Sequence, residues 1–263
     1  MGYQIMKSRQ AFSLVELLVV ISIIALLLAL VVPALAGAKR QANMIRELSA
    51  ARNLMAAYIM YAEDHDGEVL PGYMSGPAVD HAGNELGNPI NKRYPWKLAP
   101  YFNYELSDCL LVNMRRADID ALAAKGEDYI YAVSVMPSFG LNTQYVGGNE
   151  LYGWLPHIKR IDEPAQPNRL ITFASARSTP RGPGSEVGGY FEIRPPMDRK
   201  YNPSRDAHRF GFLHLRHDDQ AAVGLFDGHA EMMGESELVD MRRWSDTAAR
   251  LGDPDWQWLP PTK

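Results

Sequence analysis

The sequence predicts an α+β chain in which one long N-terminal α-helix, apolar on every side in its first half and amphipathic in its second, packs on a small head with an antiparallel β-sheet. Three observations carry this. Residues 12–32 read FSLVELLVVISIIALLLALVV, with Glu16 as the sole ionisable group. An apolar stripe at helical spacing continues to Ala62 and stops at Asp64-His65-Asp66-Gly67. Beyond it, short apolar runs are punctuated by Gly and Pro, and Asp227-Gly228 between two of them is a hairpin signal.

The totals are those of an ordinary globular chain: 263 residues, 46% hydrophobic and 22% charged. The apolar residues crowd into the first 40 positions, however, so the two parts belong in different solvents. Net charge is −4 and no run of five like charges occurs, which gives no footprint for nucleic acid. Cys109 is the single cysteine, so the head must be held by its core rather than by disulfides. Its Leu-rich context, Asp108-Cys109-Leu110-Leu111, reads as a small buried residue.

At about 1.5 Å per residue, the run from Phe12 to Val32 spans the roughly 30 Å hydrocarbon core of a bilayer. A cleaved secretory signal has a shorter apolar region, about 7 to 15 residues, followed by a small-residue cleavage site. Ala34-Leu35-Ala36 has that form, so a soluble product starting at Gly37 is the rival reading. Lys7 and Arg9 precede the segment and Lys39, Arg40 and Arg46 follow it, which leaves orientation open. A carboxylate in the apolar layer costs about 2.5–3.5 kcal/mol if unpaired. Glu16 therefore calls for a partner, or for the interfacial water that a side chain near the end of a span can reach by snorkelling.

The stretch Lys-Ser-Arg-Gln-Ala-Phe-Ser-Leu-Val-Glu at 7–16 resembles the type IV prepilin signal of type IV pilins and type II secretion pseudopilins. The resemblance implies that prepilin peptidase removes a leader over 1–11 by cutting between Ala11 and Phe12, and that the new amino terminus of Phe12 is N-methylated. Glu16 then stands fifth in the mature chain and Pro33 twenty-second, where many pilins also carry proline. Ala11 replaces the usual Gly while keeping the small volume the site requires. The resemblance further implies that Glu16 pairs with the amino terminus of a neighbouring subunit. It places the chain as a single-pass protein of the bacterial inner membrane with its head in the periplasm or, after assembly, on the cell surface.

The organisation expected is thus a leader over 1–11, a transmembrane helix over 12–32, an amphipathic helix over 33–66 and an exported head over 67–263. Met44, Leu48, Ala51, Met55, Tyr58 and Ala62 recur at steps of three and four, opposite a face carrying Arg46, Glu47, Arg52 and Asn53. Pro33 should kink this helix rather than end it, and Gly67 should cap it. Residues 71–95 read as a long Gly-, Pro- and Asn-rich loop, and Arg115–Lys125 as a helix. Expected strands are Tyr129–Val135, Leu170–Ala174, Gly189–Ile193, Phe210–Leu215, Ala221–Phe226 and His229–Met233. A type I′ turn at Asp227-Gly228 joins the last two, Arg177–Gly188 reads as an exposed loop, and Trp244, Trp256 and Trp258 should pack back on the head.

A second resemblance lies near the C-terminus. His217 followed after nine residues by Asp227-Gly228 is similar to the His-x9-Asp-Gly signature of planctomycete-type pilin-like proteins, as are Ser138–Asn142 and Tyr94–Tyr101. The density of His214, His217, Asp218, Asp219, Asp227, His229 and Glu231 raises a metal reading, with His217, Asp219, Asp227 and His229 as candidate ligands for calcium or zinc. The competing reading is a hairpin with a solvated polar face, and no other cofactor is expected. Asp64-His65-Asp66-Gly67-Glu68 fails the EF-hand register, in which Gly is sixth, and reads as a helix stop. No nucleophile motif or phosphate-binding loop is present, so no catalytic residue is assigned and an enzyme is not expected. The sequence favours a structural subunit that assembles through its N-terminal helix with like subunits or other pseudopilins. The alternative is a membrane-tethered binding module, for a ligand or glycan, that does not polymerise.

Overall fold

The computed structural model describes residues 14–113, 115–124 and 128–258. The chain divides into two compact units, residues up to Asn43 and residues from Met44 onward. Helix α1, Leu14–Asp64, continues through Pro33 without interruption. Its stop is as the sequence implies: Gly67 adopts φ +82° and donates its N–H to the Ala62 carbonyl at 2.8 Å, closing the last turn. Asp66 also enters the left-handed region, at φ 52°.

The second unit is built on the end of this helix. Ala51, Met55, Tyr58 and Ala62 of the expected stripe are buried, along with Ala50, Leu54 and Ala57, while Met44 and Leu48 are half-buried and Arg46, Arg52 and Asn53 are exposed. Glu47 departs from expectation, being fully buried rather than on the polar face. The remaining helices are α2 (Tyr94–Leu98), α3 (Arg115–Ala123), α4 (Tyr129–Val135), α5 (Glu235–Leu238) and α6 (Asp246–Leu251). Strands β1 (Phe139–Asn142), β2 (Ile171–Ser175), β3 (Glu192–Ile193), β4 (Gln220–Leu225) and β5 (Ala230–Gly234) form one sheet in the order β3-β1-β2-β4-β5. This is an α+β, pilin-like layout. The sheet is antiparallel except at β1–β3, which is parallel and makes it mixed.

Side chains divide between two cores; β4 alternates with the two-residue period of a strand, while an irregularity between Ile171 and Phe173 breaks that period in β2. Phe173 and Ala222 face α1, where Tyr58 meets Phe173 and Phe226 edge-on at 5.8 and 6.0 Å. Close approach there depends on small residues: a Cβ on Gly224 would lie 2.9 Å from Met55 Cγ. Ile171, Ala174, Val223 and Leu225 face the opposite layer, with Met233, Leu238 and Trp244. Trp244 is wholly buried and donates its indole N–H to the Leu238 carbonyl at 2.8 Å, and Trp256 packs edge-on to Tyr145.

Several strand expectations are corrected. Tyr129–Val135 is helix α4: the Asp128 carboxylate caps it by accepting from the N–H groups of Ile130 and Tyr131, and this cap outweighs the β-branched and aromatic content. Phe210–Leu215 cannot extend, because Gly211 and Phe212 both take positive φ (63° and 62°) and leave only a bridge from Leu213 to Ala176. Gly189–Ile193 shortens to β3, since Tyr190 donates to the Pro137 carbonyl and Phe191 to that of Val135. The β4–β5 turn is not type I′. Gly228 has positive φ (97°) and Asp227 does not, and the three-residue loop Phe226-Asp227-Gly228 is closed by Gly228 N–H on the Leu225 carbonyl at 2.9 Å. The helix expected over Arg115–Lys125 is α3, with Lys125 outside the described residues.

Strand β1, absent from the expected set, is wholly buried between β2 and β3. It is too short to show a period, and it contains Gly140 because a Cβ there would lie 2.6 Å from the Glu192 carbonyl carbon. Gly140→Ala should therefore cost about 1–3 kcal/mol by forcing β1 and β3 apart. Thermal unfolding of the full chain in detergent measures it, and an unchanged midpoint would show that the sheet yields freely at this point.

Candidate functional site

The first unit presents an uncovered apolar surface. From Leu14, 82% exposed, to Leu35, 67% exposed, every large hydrophobic side chain of the helix is accessible. Its most apolar stretch is long enough to cross a membrane, and none of it is buried. A helix apolar on all sides is stable only where lipid or other helices surround it. Ser22 hides its hydroxyl by donating to the Leu18 carbonyl at 2.7 Å. Glu16 lies in the first described turn and Pro33 within the helix, while Ala11 and Phe12 fall outside the described residues.

In the second unit the polar focus is Glu47, which sequence reasoning had placed in solvent. Its Oε1 accepts from Asn113 Nδ2 at 2.8 Å and lies 3.3 Å from Arg216 Nε. Oε2 accepts from Ser175 Oγ at 2.9 Å and lies 3.1 Å from His217 Nε2. Ser175 Oγ in turn accepts from the Ala222 N–H at 3.1 Å, so one carboxylate joins α1, β2, β4 and the segment before α3. Burial alone would push the Glu47 carboxyl up. The Arg216 charge, with His217 and Asn113, overrides this and brings it down to about 2. Nearby His214 is driven down to about 3 by burial and by the charges of Arg216 and Arg177. The sequence signal for Glu47 was available only in hindsight, as an acid one turn before the buried Ala50 and Ala51.

The four candidate metal ligands do not converge. His217 is committed to Glu47, whereas His229 Nδ1 lies 2.6 Å from Asp227 Oδ1 at the hairpin tip. Asp219 is exposed, in a left-handed turn residue at φ 60° just before β4. Among the described residues, no three His, Cys, Asp or Glu side chains stand close enough to hold a metal ion. The spacing from His217 to Asp227-Gly228 has a structural meaning here: it encloses β4, with the His beside Glu47 before the strand and the turn after it. Cys109 is buried and its thiol is pushed up to about 11 by burial and by Asp108 and Glu105, which leaves it unreactive.

Residues 6–32 match the prokaryotic N-terminal methylation motif, a prepilin-type signal that covers Ala11, Phe12 and Glu16. The match supports a type IV pilin-like protein anchored by one membrane-spanning helix, and proteins with this motif have structural rather than catalytic roles. Neither the curated proteins nor the solved structures give a match.

Two predictions come from the buried cluster. Glu47→Gln leaves the Arg216 guanidinium without its counter-charge and should destabilise the head by about 3–5 kcal/mol, read from denaturant unfolding. Acid should act in two steps. His214, with folded pKa below its ordinary 6.5, gives stability that is complete above pH 6.5 and declines as pH falls toward 3. Glu47, lowered from 4.5 to about 2, adds a loss that starts near pH 4.5. His214→Gln should flatten the upper part of a melting-temperature profile and Glu47→Gln the lower. Profiles parallel to the wild type would refute both assignments.

Proposed function

We propose that this chain is a pilin-like or pseudopilin-like structural subunit. Prepilin peptidase cuts it between Ala11 and Phe12, Phe12 is N-methylated, and the subunit assembles through its N-terminal helix in a type II secretion or type IV pilus-like system. The observation that carries this is the coincidence of the methylation motif at 6–32 with a helical segment, 14–35, whose large apolar side chains are all uncovered. Lipid satisfies that surface before assembly and neighbouring helices satisfy it afterwards. Glu16 is the specific element: as the lone ionisable group of residues 12–32, its pairing with a neighbour's amino terminus sets the axial register. The subunit sits in the bacterial inner membrane with its head on the periplasmic side.

Mass spectrometry of the mature amino terminus tests the processing, and a chain beginning at methylated Phe12 is expected. One beginning at Gly37 would instead mean a secreted soluble protein. Glu16→Ala tests the assembly: processing should persist while the sedimentable polymer falls about tenfold or more, the loss expected when a buried ion pair is broken. Unchanged display and unchanged sedimentation would favour a tethered binding module that does not polymerise.

A further inference from the structure

Four cations are buried among the described residues: Arg93, Lys97, Arg115 and Arg177. Three are compensated. Arg115 pairs with Asp118 at 2.7 Å. Arg177 meets Glu186 at 3.3 Å and donates to the carbonyls of Pro203, Asn202 and Arg205. Arg93 lies between the rings of Tyr131 and Phe191, 5.1 Å from each, and donates to Ser134 Oγ. Lys97 is the exception. It is 6% exposed, and its ammonium donates to the Met74 carbonyl at 2.7 Å. Among the described residues no charged partner acts on this amine, and burial is the one influence on it. Three N–H donors and a charge are thus served by one neutral acceptor, so the site would gain from an anion. Burial pulls the amine down to about 8.

Lys97 lines a groove of about 580 Å³, within the range of small-molecule sites, with its ammonium held beside Met74 next to that groove. Tyr61, Asp64, His65 and Tyr101 also line it. Tyr61 and His65 are stacked at 3.9 Å, and His65 Nδ1 is bound to the Tyr61 carbonyl, so this wall is fixed. Tyr101 stands edge-on to Tyr61 at 5.9 Å, and burial together with Asp64 pushes its phenol up to about 12. Asp64 faces the same space without reaching Lys97. The groove therefore brings together a buried cation, apolar ring surface and a carboxylate, Asp64, which accepts from the Tyr101 hydroxyl and keeps further lone pairs for a second donor.

We propose that this groove binds a small organic acid carrying a second, donating polar group. Its carboxylate supplies the counter-charge to Lys97, its hydroxyl or ammonium donates to Asp64, and its carbon skeleton lies against Tyr61 and Tyr101. Two sources share this chemistry: an acidic sugar, which donates through hydroxyls, and an amino acid, which donates through ammonium. The proposal does not depend on whether the chain polymerises.

Isothermal titration of the full chain in detergent micelles with D-glucuronate, L-phenylalanine and D-glucose tests it. At least one of the two acids should bind saturably, and D-glucose at least tenfold more weakly. Glucuronate alone identifies the hydroxylated ligand, phenylalanine alone the ammonium-bearing one. Lys97→Met should weaken binding at least tenfold while leaving the melting temperature equal or higher, since it removes an uncompensated charge. Asp64→Asn, at an exposed position, should weaken it at least threefold and serves as the second test if Lys97→Met misfolds. Absence of saturable binding by either acid up to about 10 mM, or binding indifferent to both substitutions, would overturn the proposal.

Discussion

The head depends on one buried carboxylate. Glu47 sits where no water reaches it, and a charge in that position is tolerable only if each lone pair finds a donor. Asn113, Ser175 and the adjacent pair Arg216-His217 come from three separate parts of the chain, so satisfying Glu47 fixes helix, sheet and loop against one another at once. Apolar packing alone would tolerate sliding of α1 over the sheet. A shift of one residue along the helix rotates Glu47 by about 100° and strands the charge. The cluster therefore sets the register, and Ala51, Met55 and Gly224 fill in around it.

What the sequence discloses depends on how local the determining physics is. The apolar run, the stripe to Ala62 and the stop at Gly67 are each decided by neighbours in the chain, and all three are found in the structure. Ala11 and Phe12 lie outside the described residues, so their role stands on the motif alone. Glu47 was misread because periodicity sorts charge to the outside, while its partners lie up to 170 positions away in His217. Tyr129–Val135 has the composition of a strand, and only the cap from Asp128 and the packing of its Ala132 and Val133 make it a helix. Strand β1 is four residues long with a glycine inside, below what any pattern resolves. The C-terminal His and Asp residues looked like one site because they are close in sequence, yet β4 separates His217 from the Asp227–His229 pair.

The two units solve opposite solvation problems. The first leaves its apolar side chains uncovered along the helix, and within the apolar run Ser22 satisfies its hydroxyl on the Leu18 carbonyl. The second covers both faces of its sheet and spends buried polar groups where they fix geometry, as Asn142 does by donating to the carbonyls of Ile171 and Trp244. A methylation motif confined to 6–32 fits this division, because the recognition that processing requires lies wholly in the first unit. The head is then free to vary in surface chemistry without disturbing the anchor.

The sheet ends abruptly on both sides: β3 has two residues, and β5 has five and runs straight into α5. So short a border offers few unpaired backbone groups to another strand. Tethered heads crowded into one membrane patch reach local concentrations at which exposed sheet edges would zip together. Here the border itself acts as insulation against such pairing between heads.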